Sequence, residues 1–235
     1  MSEFSRVSML IDINQLKNKT VAIVGIGGVG GYVAESLARS GVGKLILVDY
    51  DVVDETNINR QIIALHSTIG KEKVSLMEER IHDICEDTQV VSYRIMYGEE
   101  NRYDIFSKKI DFLVDACDIV RSKQILITEC LNRGIPFISS MGTGNRLDPS
   151  KLTVTDLAKT EGDPLARIMR KWAKDWGIRT PIPVLYSSEL PIETKITYFV
   201  DGKEVDSNKI AGKKGKITIK LEFENKEKRE DMYVP

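Results

Sequence analysis

The chain has 235 residues, of which 42% are hydrophobic and 29% charged, with a formal net charge of −1 at pH 7. That length fits one α/β domain plus an appendage, and the near-neutral balance excludes a protein that binds nucleic acid over its whole surface. No apolar run approaches the roughly 18 residues of a membrane span, and the N-terminus lacks the charged-then-apolar pattern of a secretory signal, so a cytoplasmic protein is expected.

The first element is an apolar strand, Val21-Ala22-Ile23-Val24, followed by Gly25-Ile26-Gly27-Gly28-Val29-Gly30 and a helix pattern to about Ser40. A strand, a G-x-G-x-x-G turn and a helix form the dinucleotide-binding arrangement. Gly25 allows the tight turn, Gly27 lets backbone approach phosphate oxygens, and Gly30 lets the helix pack on the strand. Amides at the helix N-terminus then face the anion, and the helix dipole adds to the attraction. A second strand, Leu45-Ile46-Leu47-Val48, ends in Asp49, placed to accept from ribose hydroxyls.

The loop beyond Asp49 carries Asp51, Asn57, Asn59, Arg60 and Gln61, with Lys73 a short segment later. A dinucleotide's pyrophosphate needs less cationic and amide capacity than this. Arg holds phosphate as a bidentate fork and Lys as a point charge. Both suit a triphosphate, where negative charge moves onto departing pyrophosphate when the α-phosphorus is attacked.

Helix patterns follow at about residues 71–85 and 120–133, with strands at about 90–94, 111–114 and 136–140. The strand at about 111–114 exits into Asp115 and Asp118. Ligands of open parallel sheets bind outside such strand ends, and Asp118 is placed to hold magnesium; the alternative is the N-cap of the following helix. Residues 152–156 begin an antiparallel extension. The expected fold is α/β, Rossmann-like and doubly wound, its largely parallel sheet covered by helices on both faces.

Residues 166–176 read as a basic amphipathic helix. Arg167, Arg170, Lys171 and Lys174 can form a cationic face, and Trp172 and Trp176 lie one turn apart. The cations could bind RNA phosphates and an exposed Trp could stack on a base; alternatively both tryptophans are buried in the core or a dimer interface. His66 and His82 read as helix-surface residues. Cys85 and Cys130 read as small core residues, whereas Cys117 directly precedes Asp118. Three cysteines with no pairing pattern fit a reducing compartment. From about residue 190 the chain reads as β-rich. Strands are expected at 194–200 and 216–223, an Asp201-Gly202 turn follows the first, and a solvated charge run covers 226–231.

Residues 25–30, Asp49-x-Asp51, Asn57, Asn59-Arg60-Gln61, Lys73 and Asp118 resemble the adenylation site shared by ubiquitin-activating enzymes and their bacterial relatives. Within that superfamily the chain resembles the bacterial tRNA threonylcarbamoyladenosine dehydratases. The resemblance rests on residues 56–65, 77–81, 140–149, 154–160, 163–166 and 185–189, and covers about residues 3–190. It implies that the loop around Gly28 cradles ATP, that Asp49 holds the ribose, and that Asn57, Arg60 and Lys73 bind phosphates. Asp118 would position magnesium. Arg6 would reach the ATP of a partner subunit, so a homodimer is implied.

The implied chemistry is adenylation of the threonylcarbamoyl carboxylate on tRNA, followed by ring closure with loss of water. Without a C-x-x-C pair, the zinc site of many relatives is not encoded. The implied organisation is an adenylation domain with its N-terminal arm at 1–189, and an atypical β-rich tail at 190–235 in place of the helix that usually follows. Two other readings stay open. One is an adenylyltransferase for the C-terminal glycine of a ubiquitin-like or sulfur-carrier protein, with sulfur-transfer partners. The other is a non-catalytic nucleotide-binding protein disabled by its tail.

Overall fold

The computed structural model describes residues 4–192 in full, together with the backbone of 194–200, 203–205 and 217–223. Seven strands form the main sheet: β1 (Thr20–Val24), β2 (Lys44–Val48), β3 (Gln89–Tyr93), β4 (Phe112–Asp115), β5 (Phe137–Ser140), β6 (Leu152–Asp156) and β7 (Pro183–Ser187). Their order is β3-β2-β1-β4-β5-β7-β6. Every neighbouring pair is parallel except β6 with β7. The order reverses between β1 and β4, so a crevice opens outside their carboxyl ends.

Alternation along the strands explains why both faces must be covered. Val21, Ile23, Leu45 and Leu47 belong to one buried cluster, whereas Ala22, Val24, Ile46 and Val48 belong to another. A sheet apolar on both sides needs helices on both. One face receives α2 (Gly30–Arg39) and α3 (Lys73–Ile84); the other receives α4 (Arg102–Phe106), α5 (Val120–Arg133) and α6 (Pro164–Asp175). A short α1 (Ile13–Lys17) precedes β1.

Helix α2 lies close to the sheet because Gly30, Gly31, Ala34 and Ala38 are buried. A Cβ at Gly30 would sit 1.8 Å from the Gly25 carbonyl oxygen. Helix α5 matches the expected 120–133 and stops at Gly134, whose φ is +65°. Helix α6 starts on Pro164 with Asp163 as N-cap. It buries Trp172 and leaves Trp176 65% exposed at its end, so the two tryptophans take different fates. Cys85 and Cys130 are buried, as expected of core residues. Strand β7 and helix α4 were not foreseen: β7 begins on a proline, and α4 has only five residues.

Beyond the sheet, β8 (Thr194–Val200), β9 (Lys203–Val205) and β10 (Ile217–Phe223) form a three-stranded antiparallel sheet ordered β10-β8-β9. The expected turn at 201–202 and charge run at 226–231 lie outside the described residues.

Candidate active site

A cavity of about 480 Å³ opens at the crevice between β1 and β4. Its lining brings together Gly25, Gly27, Gly28, Asp49, Asp51, Asn57, Arg60, Lys73 and Asp118, residues drawn from five separate segments. Gly30 stands behind the wall, where it permits the packing of α2. Asn59 and Arg6 are not among the lining residues, and both are exposed. Asn59 instead accepts a hydrogen bond from Arg60 Nη1 at 2.9 Å, and Thr56 O accepts from the same nitrogen at 3.1 Å. These bonds fix the guanidinium at the rim.

The glycine loop is shaped from below. Gly25 has φ +94°, and a Cβ there would lie 2.6 Å from Ala116 O. A Cβ at Gly28 would come 3.3 Å from Arg60 Cγ, so loop and arginine abut. Asp49 ties the loop to β2: its Oδ2 accepts from Ile26 N at 2.6 Å and its Oδ1 from Asp51 N at 2.8 Å. Burial raises the pKa of this carboxyl above its ordinary value, against the lowering effect of those two amides and of Lys73.

Lys73 opens α3 and is 4% exposed. Its Nζ lies 2.9 Å from Asp51 Oδ2, so an incoming phosphate would meet a lysine already held in place. Asn57 is buried and uses Oδ1 to accept from Asp54 N at 3.1 Å, which leaves its Nδ2 for a ligand. Gln61 also lines the cavity, and its buried Oε1 has no hydrogen-bond partner among the described residues. Such an orphaned acceptor calls for a donor from outside the chain. Asp118 is exposed at the rim; the N-cap of α5 is Ile119, so the capping alternative for Asp118 does not apply.

Asp115, the other acid of that strand end, faces away from the crevice. It is fully buried and accepts from Lys123 Nζ at 3.1 Å, from Ser139 Oγ at 2.5 Å and from Cys117 Sγ at 3.1 Å. Lys123 is fully buried too, and also donates to Ser140 O at 2.7 Å. This knot joins the ends of β4 and β5 beneath the site. The loop after β5 supplies Thr143 and Gly144 to the cavity and is held by Arg146, whose Nη2 lies 3.1 Å from Asp163 Oδ2. The other oxygen of Asp163 accepts from Ala166 N at 2.6 Å, capping α6. Sequence reading did not find these anchors, nor the wall formed by Ile95, Met96 and Tyr97.

The family model described as the ThiF family matches residues 4–161. The tRNA threonylcarbamoyladenosine dehydratase of Bacillus subtilis strain 168 is 45% identical over 195 residues, which is 82% of this chain and 77% of that protein. The chain belongs to the ThiF family, among its tRNA threonylcarbamoyladenosine dehydratases. The Escherichia coli K12 dehydratase is 42% identical over 159 residues, covering 67% of this chain and 59% of its own length. The crystal structure of the E. coli enzyme in complex with ATP matches this family member with a TM-score of 0.77 at 35% identity, over 80% of this chain and 82% of that one. The resemblance of the motifs and the similarity of the fold therefore agree.

Proposed function

We propose that this chain is an ATP-dependent enzyme that adenylates the carboxylate of threonylcarbamoyladenosine in tRNA and closes the ring with loss of water. The observation that carries the reading is the meeting of the glycine loop, Arg60, Lys73 and Asp118 in one cavity of a chain related to dehydratases of that name. A carboxylate is a poor electrophile because its leaving group would be oxide. Its oxygen attacks the α-phosphorus of ATP and expels pyrophosphate. A nucleophile of the same modification then attacks the acyl carbon, loses its proton and expels AMP. The second step is intramolecular, so positioning supplies much of its rate.

The chain's own residues divide the work. Amides of the glycine loop and of the α2 N-terminus face the phosphates. Arg60 and Lys73 neutralise charge as pyrophosphate departs, and the Nδ2 of Asn57 donates to a phosphate oxygen. Asp49 retains lone pairs for ribose hydroxyls beside the two amides it already serves. The open carboxylate of Asp118 fits magnesium, which takes one or two carboxylates alongside phosphate oxygens; when bound, the ion would offset phosphate charge. Arg6 lies outside its own chain's cavity, which supports a homodimer in which it completes the partner's site. The cysteines lack the C-x-x-C spacing of a zinc site. Burial beside Asp115 raises the pKa of Cys117 far above the ordinary thiol range, which disfavours a thiolate role, so any sulfur transfer would fall to a partner protein. A reducing cytoplasm is the expected location.

The test is mass analysis of nucleosides after incubating the protein with ATP, magnesium and tRNA bearing threonylcarbamoyladenosine. A product lighter by one water is expected. Asp118→Ala and Arg60→Ala should each lower its rate by on the order of a hundredfold or more. An unchanged nucleoside with ATP binding intact would reject the assignment.

A further inference from the structure

A second recess, of about 580 Å³, is lined by α6 and by residues of the segments 156–158 and 178–182, and shares no lining residue with the first. Arg167, Arg170, Lys171, Lys174 and Arg179 line it. Four of these recur at helical spacing along α6, on the side away from the buried Met169 and Trp172. Leu157, Ile178 and Ile182 add apolar surface. The only acid in the lining, Asp156, is engaged: its Oδ1 accepts from the backbone amides of Ala158 and Ile182.

What sets these five side chains apart is that they stand together in one recess. Arg39, Arg80, Arg94, Arg102, Arg121 and Arg133 each hold a carboxylate. Among the described residues none of the five groove cations forms an ion pair; Arg170 donates to the Thr160 hydroxyl. A chain of net charge −1 has thus gathered five cations against one carboxylate in one groove. Crowded like charges repel, and an anion lying along them would relieve that repulsion.

We infer that this groove seats the phosphodiester backbone of the tRNA, at a distance from the nucleoside being modified. The inference rests on the proposed tRNA substrate. A cavity of about 480 Å³ cannot enclose a tRNA, so most of the polyanion must lie on other surface. Phosphate contacts of this kind fix register and orientation without reading sequence. The groove is also joined to the site, because α6 is capped by Asp163, which holds Arg146 of the cavity loop.

The experiment measures binding of the 235-residue chain to tRNA bearing threonylcarbamoyladenosine by fluorescence anisotropy across a salt series. Lys171→Glu/Lys174→Glu should weaken binding at least tenfold and flatten the log–log salt dependence by roughly 1.5, as expected for two lost phosphate contacts. Lys171→Arg/Lys174→Arg should stay within twofold of the parent. The exposed pair Lys108→Glu/Lys109→Glu controls for net charge and should cost under threefold. ATP affinity of each variant reports that it is folded. Unchanged tRNA binding by the groove-reversed pair overturns the inference, as does an equal loss in the control pair. A changed oligomeric state in place of a tRNA defect assigns the face to a second copy and also overturns it. If the parent protein dehydrates its substrate, such failures concern the groove alone; if the parent neither binds tRNA nor dehydrates it, the functional reading falls and the groove with it.

Discussion

Asp49 shows how one carboxylate can hold a loop and still keep lone pairs for a ligand. It accepts from Ile26 N and Asp51 N, and burial raises its pKa above the ordinary 3.8. A raised acid pKa means that the folded state holds the proton more tightly than the unfolded chain. Its stabilising contribution is therefore full below 3.8 and is lost as pH rises through the raised value. Nucleotide affinity should run the other way, because the ionised form is the one that accepts from the loop amides and a ribose. Calorimetric titration with ATP should show affinity falling by up to about tenfold per pH unit once pH drops below the raised pKa. Asp49→Asn should bind weakly and lack this acid limb; an identical pH profile would exclude Asp49 as its source. The sequence made Asp49 visible as a candidate site residue, since an acid at a strand end after a glycine loop is placed at the crevice, and Asp49 does line the cavity. Its grip on Ile26 was not visible, because which amides a loop leaves unpaired depends on a path that residue types do not specify. Arg60 and Asn59 tell the same story: both were singled out, but only the folded loop shows that Asn59 steadies Arg60.

The elements around the crevice are locked by charges placed beneath it. Lys123 lies in the first turns of α5, where a lysine reads as a solvated residue. The crossover from β4 through α5 to β5 turns it inward onto Asp115 and Ser140. Removing one member of a buried ion pair strands the other, at a cost of roughly 3–5 kcal/mol. Lys123→Met should therefore lower the midpoint of denaturant unfolding sharply, and Lys123→Met/Asp115→Leu should recover much of the loss. A single variant as stable as the parent would show that the pair contributes no net stability. Long periodic elements such as α5 and the buried strands were legible, because their period or their continuous apolar character is set by burial. Strand β7 was not: Pro181 precedes it and Pro183 begins it, and it takes its place only by joining β5 to the reversed β6.

Over the whole molecule, the parallel sheet and its crevice account for residues 20–187, and the chain remains attached to that body slightly beyond the expected boundary at 189. Ile192 N donates to Asn145 O at 2.7 Å, and the Glu189 carboxylate accepts from the amides of Leu147 and Asp148. We expect a chain ending after Ile192 to bind ATP as the full chain does and to melt within a few degrees of it. Ending after Ser187 should cost both, since the support of the cavity loop would go with Glu189. Equal melting temperatures for the two truncations would place the boundary earlier. The β-rich character of the tail was legible from alternation, whereas its pairing of β8 with both β9 and β10 was not, since alternation alone does not choose partners.

The carboxylate of Asp163 serves two clients, the cavity loop through Arg146 and the first turn of α6 through Ala166. The loop and the helix cannot then be displaced independently. In thermodynamic terms the two ligand surfaces are linked: whatever factor a ligand on α6 applies to nucleotide affinity through this carboxylate, the nucleotide must return to that ligand in full.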